Sequence, residues 1–133
     1  EGDSVPGGAG GTGNRPKKIY RITEDGRQAF VQWMNIAPES EKQRFEFLLK
    51  VYWAPWLPTE RVGEYIRDFM TRHKGDLDML RRMENEMIPI LDEHPNHWWV
   101  LQTIRLGRRM NEAYLAWASE LKTELEGMGD RDR

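Results

Sequence analysis

At 133 residues the chain is sized for one domain, or a small domain with an appendage. Lys and Arg number 20 against 22 Asp and Glu, a net charge of -2, which is not the whole-chain balance of a dedicated nucleic-acid binder. There is no cysteine, so disulfides, zinc–thiolate sites and cysteine nucleophiles are excluded. No segment approaches the roughly 20 apolar residues of a membrane span, so no membrane partner is expected and a cytoplasmic location is the default. Glu1 opens the chain without a basic and apolar leader, and the expectation is a cut end rather than a natural start.

Residues 1–16 are rich in glycine and poor in apolar side chains, which predicts a flexible loop or tail. Gly8, Gly10 and Gly13 match G-x-G-x-x-G. No strand precedes them and Asn14-Arg15-Pro16 follows, so the match reads as a plain loop. Lys17–Ile22 (KKIYRI) is short and rich in β-formers and reads as a strand, although a lone strand needs a partner that this chain barely supplies. Thr23 has the chemistry of an N-cap, with Glu24 and Asp25 in the first turn. A helix to about Ile36 places Phe30, Trp33 and Met34 on one face. Residues 17–36 thus read as a strand and a following linker helix.

Pro38 stops that helix. Ser40-Glu41-Lys42-Gln43 fits a capping box, and the next helix is expected to run to about Trp53 with Phe45, Leu48, Leu49 and Tyr52 inward. Pro55 and Pro58 bracket an aromatic turn. A long helix follows from Thr59 to about Met87, where Pro89 ends or kinks it. Its stripe is Val62, Ile66, Phe69, His73, Leu77, Leu80, Met83 and Met87. A second long helix starts after the N-cap Asn96 and runs to about Glu126, with Gly127 and Gly129 ending it. The short link through His94-Pro95 makes the two an antiparallel αα-hairpin, each arm about 45 Å long. Residues 37–127 are therefore a helical domain and 128–133 a tail.

On the last helix, Val100, Thr103, Gly107, Met110, Tyr114, Trp117 and Leu121 fall at alternating spacings of three and four, a heptad seam. Trp98, Leu101, Ile104, Leu115 and Ala118 form a second stripe beside it. One stripe packs the hairpin; the other predicts a homodimer, with Leu101, Ile104, Gly107, Met110, Tyr114, Trp117 and Leu121 at the interface. The competing arrangement is a monomeric bundle whose two short helices cover the extra stripe. Gly107 costs about 1 kcal/mol relative to alanine in mid-helix, and a Trp or Phe is expected opposite it.

Arg15, Lys17, Lys18 and Arg21 give residues 1–23 a net positive charge. They suit either phosphate contacts or a lysine-protected strand edge. Among six tryptophans, Trp98, Trp99, Trp53 and Trp56 are candidates for lining a pocket for a planar ligand, against simple core filling. His94 and His97 lie near Asp92 and Glu93, but the spacing fixes no third ligand, so neither a metal nor a cofactor is expected. His73 reads as a hydrogen-bonded core histidine, and Arg108 as surface charge or a cross-interface partner. No serine has a base within helical reach, so no catalytic residue is assigned.

Arg15-Pro16-Lys17-Lys18-Ile19-Tyr20-Arg21-Ile22-Thr23-Glu24-Asp25-Gly26-Arg27, followed by Trp33, resembles the end of the wing and the next helix in PadR-like transcriptional regulators. Leu106-Gly107, Glu112-Ala113 and Leu115-Ala116-Trp117 resemble the last helix of the long-tailed, Vir-type members. The resemblance implies a mainly α protein: a short β-strand remnant of a winged-helix wing, then a helical domain built on a long antiparallel hairpin. It implies repressor function for a parent protein whose groove-reading helix lies ahead of this segment, with this chain as the dimerisation and effector-sensing portion. Arg15, Lys17, Lys18 and Arg21 would touch the DNA backbone from the wing, and a small aromatic effector would sit at the tryptophans. The alternative is a dimeric helical scaffold with no DNA role.

Overall fold

The computed structural model describes residues 19–129. The chain divides into two compact units, the first ending at Lys42 and the second beginning at Gln43.

In the first unit, helix α1 spans Glu24–Met34. The Gly26 N–H donates to Thr23 Oγ1 at 3.0 Å, satisfying one donor that a helix start leaves free. A Cβ at residue 26 would lie 3.1 Å from that same oxygen, so glycine keeps room for the cap. The other end closes where Asn35 Nδ2 donates to the Val31 carbonyl at 2.8 Å. Phe30 and Trp33 share a face with their rings 6.1 Å apart. The strand expected over Lys17–Ile22 is not formed: Ile19–Ile22 are irregular and exposed, residues 17 and 18 lie outside the described residues, and no strand occurs among the described residues. A β-ladder needs a second strand to accept its N–H groups. The helical sequence that follows supplies none, and no wing remnant is present among the described residues.

The second unit is the hairpin and the segment that feeds it. Helix α2 spans Glu46–Tyr52 and is followed by a short 3-10 turn, Ala54–Trp56. Helix α3 spans Thr59–Met87, a second 3-10 turn covers Ile88–Glu93, and helix α4 spans His97–Gly129. Pro89 lacks an N–H, so the α ladder cannot continue through it and the backbone tightens. The Asn96 carbonyl accepts from the Val100 N–H at 3.0 Å, the first bond of α4. Two histidines brace this turn. His94 Nδ1 accepts from the Asn96 N–H at 3.0 Å, and His97 Nδ1 donates to the Ile90 carbonyl at 2.6 Å.

The Ser40 capping box does not start a helix; α2 begins six residues later, after Phe45. Phe45 and Phe47 are partly buried against the core, whereas Leu48, Leu49 and Tyr52 are exposed. Phe47 stacks on Phe69 at 4.5 Å between centroids, and Phe45 lies 5.7 Å from the same ring. Burying two aromatic rings outweighs a surface cap worth about 1 kcal/mol.

Where the arms meet, α3 buries Val62, Ile66, Phe69 and Leu77, and α4 buries Leu101, Ile104, Asn111 and Ala118. The face of α4 turned to α3 is therefore the second stripe, completed by the polar residues Arg108 and Asn111. The heptad seam flanks it: Tyr114, Trp117 and Leu121 are partly buried on the cluster of Val62, Ile66, Phe69 and Ala118. Gly107 faces Leu80 rather than an aromatic ring; a Cβ there would lie 3.2 Å from Leu80 Cδ1.

Candidate functional site

Two features of the second unit carry polar chemistry. The first is a cavity of about 390 Å³ between the segment that enters α2 and the N-terminal half of α3. Phe45, Phe47, Tyr65 and Phe69 give it aromatic walls, and Arg44, Lys50, Arg72, Glu46 and Asp68 supply charge. Lys50 is engaged, paired with Glu46 at 3.1 Å and 5.1 Å from the Tyr65 ring centre. The Glu46 hydrogen bond, with its charge, holds the Lys50 ammonium above its ordinary value. Arg44 and Arg72 pair with no carboxylate among the described residues.

His73 also lines the cavity. Its Nδ1 lies 2.6 Å from Asn111 Oδ1, while Asn111 Nδ2 donates to the Gly107 carbonyl at 2.8 Å. An amide oxygen only accepts, so this network assigns the proton to Nδ1 and leaves Nε2 an acceptor. Nε2 makes no hydrogen bond among the described residues and is not sealed from solvent.

The second feature is a charged cluster further along the hairpin. Glu84 receives a hydrogen bond from Arg105 Nε at 3.0 Å, and Arg108 Nε approaches its other oxygen at 2.6 Å. The Arg108 N–H is not aligned on that oxygen, so the contact is one of charge. Arg108 also donates to Glu112 at 3.0 Å, and Arg81 stands 3.7 Å from the same carboxylate. The Arg105 hydrogen bond, with Arg108 beside it, holds the Glu84 carboxyl below its ordinary value. Glu112 and Glu84 in turn hold Arg108 above its own.

The sequence-derived site residues fall elsewhere. Arg15, Lys17 and Lys18 lie outside the described residues, and Arg21 is exposed on irregular backbone. Leu101 and Ile104 are buried within their own chain, and Gly107, Tyr114, Trp117 and Leu121 pack against α3 residues of that chain. Met110 is half-buried. The tryptophans do not converge: Trp53 and Trp56 precede the start of α3, whereas Trp98 and Trp99 open α4 beyond its end. A helix of 29 residues, roughly 43 Å, separates the two pairs. Trp98 and Trp99 meet edge to face at 4.6 Å and are half or more exposed. Phe47, Tyr65 and Arg72 were not singled out; the alternation of Phe45 with Phe47 is the signal that could have found the cavity.

The sequence pattern of the family described as Virulence activator alpha C-term matches residues 43–126, the feeding segment and both arms of the hairpin. The chain belongs to this family. No curated protein matches the chain. Among solved structures it is similar to the PadR-like transcriptional regulator BC1756 from Bacillus cereus, at 20% identity and a TM-score of 0.66. That likeness covers 80% of this chain and 61% of the regulator, so the chain spans less than two thirds of that protein. At this identity the similarity is one of fold. The virulence activator alpha C-term chain is thus a helical domain that shares its fold with that regulator. No helix among the described residues is long and apolar enough to cross a membrane.

Proposed function

We propose that this chain is the dimerisation and effector-sensing portion of a PadR-like repressor, acting in the cytoplasm, with DNA read by a winged helix of the complete regulator. The observation that carries the reading is the family match over residues 43–126, which takes in every element of the hairpin unit. Leu101 and Ile104 are buried within the hairpin, so the homodimer does not rest on them. It rests on the large apolar side chains left exposed on the arms, Met79, Met83, Leu106, Trp98 and Trp99. A small planar effector fits the aromatic cavity better than the separated tryptophans. Phe45, Phe47 and Tyr65 offer partly exposed rings, Nε2 of His73 accepts a hydrogen bond, and Arg44 and Arg72 attract negative charge.

Trp117 lies 5.9 Å from Phe47 and 6.0 Å from Phe69, close enough to report on the cavity. A panel of planar aromatic compounds is titrated against tryptophan emission. The reading requires at least one to produce a saturable change that Phe47→Ala abolishes. Silence from the whole panel overturns the effector half of the proposal.

A further inference from the structure

The two arms of the hairpin carry stripes of the same periodicity. On α4 the inward positions are Leu101, Ile104, Arg108, Asn111, Leu115 and Ala118, in alternating steps of three and four. The inward positions of α3 repeat almost as regularly. The periodic apolar stripes by themselves discriminate weakly among alignments of two such rods, beyond what the Leu80 notch at Gly107 and the connecting turn impose. A slide of one heptad, about 10 Å of helix rise, brings apolar residues back against apolar residues.

The polar residues break that equivalence. Asn111 is buried and meets His73 alone on the facing arm. Glu84 meets Arg105 and Arg108 with side chains that are mostly covered. After a one-heptad slide, His73 would face Ile104 or Ala118, and Glu84 would face Trp98 and Leu101 or Glu112 and Leu115. Each would lose its partner and lie on hydrocarbon or, for Glu84, against the like charge of Glu112, a heavier loss than any apolar mismatch. Leu80 would also leave the notch at Gly107 and meet Val100 or Tyr114.

We propose that His73 with Asn111, and Glu84 with Arg105 and Arg108, form a register lock that holds the hairpin to one axial alignment among those its apolar stripes accept. Buried polar pairs of this kind are best attested as setters of register rather than as sources of stability.

Paramagnetic labels on Asn85→Cys and Thr103→Cys test this, both positions being exposed on facing arms of a chain with no other cysteine. Labelled protein is diluted into unlabelled protein so that only distances within one chain are read. The natural lock should give one distance. The variant His73→Leu, Glu84→Met, Arg108→Leu, Asn111→Leu should keep its helicity and add a second population displaced by up to about 10 Å. Exchanging the pair, His73→Asn with Asn111→His, should keep one distance. A single unchanged distance in the fourfold variant overturns the proposal. So does loss of its helicity, which would make the layer a source of stability instead, and so do two distances in the natural lock.

Discussion

The contact between Gly107 and Leu80 makes a prediction whose sign depends on its surroundings. In an isolated helix Gly107→Ala gains about 1 kcal/mol, because alanine gives up less backbone entropy. Here the new Cβ would sit 3.2 Å from Leu80 Cδ1 and 3.3 Å from Cδ2. Both methyls of the leucine crowd the same point, so rotating the side chain replaces one close contact with the other. Leu80 must shift bodily or the arms must part, and overpacking of this kind costs about 1–3 kcal/mol. The net effect in the natural background is a loss of up to about 2 kcal/mol. With Leu80→Ala already present the obstruction is gone, and the same glycine change should stabilise by about 1 kcal/mol. Urea unfolding followed by helical circular dichroism, at one fixed protein concentration, measures all four corners of the cycle. Stabilisation by Gly107→Ala in the natural background would refute the close approach of α3 and α4 at this point.

Phe69 is fully buried and contacts Phe45, Phe47, His73, Tyr114 and Trp117. Phe69→Ala should lower the unfolding free energy by about 3–5 kcal/mol in the same urea assay. Glu84 titrates lower in the folded chain than in the unfolded one. Its contribution is complete above the ordinary glutamate value of about 4.3 and is lost as pH falls through the lowered folded value. Glu84→Gln should therefore flatten the acid-side decline of the unfolding midpoint below about pH 4.3, and an unchanged slope would remove the Arg105 and Arg108 pairing from the account. Thr23→Ala removes the side-chain acceptor for the Gly26 N–H, costs α1 about 1 kcal/mol, and should reduce the helical chemical shifts of residues 24–34.

Local signals were legible wherever one residue decides a local event. Thr23 capping α1, Pro89 ending α3 and Asn96 opening α4 depend on backbone chemistry that no distant contact alters. Which face of α4 meets α3 is not legible in the sequence because hydropathy treats Arg108 and Asn111 as surface residues. They interrupt the inward stripe, and only their partners Glu84 and His73, more than twenty residues away, make burial tolerable. The unbroken seam of Val100 to Leu121 is the sharper pattern, yet it flanks the inward face. The same blindness hid the cavity. Ser40 to Gln43 satisfied a capping rule, while the alternation of Phe45 and Phe47 answered to Phe69, a residue on another helix. The strand over Lys17–Ile22 fails for the opposite reason: Ile19–Ile22 carry β-forming residues, but no pairing strand occurs among the described residues.

The proposed function stands or falls on whether two copies associate, because a dimerisation module that remains single cannot set the spacing of paired DNA-reading elements. Sedimentation equilibrium across a concentration series measures this directly. The account predicts a limiting mass of twice 15.7 kDa. A mass of 15.7 kDa at every concentration would contradict it.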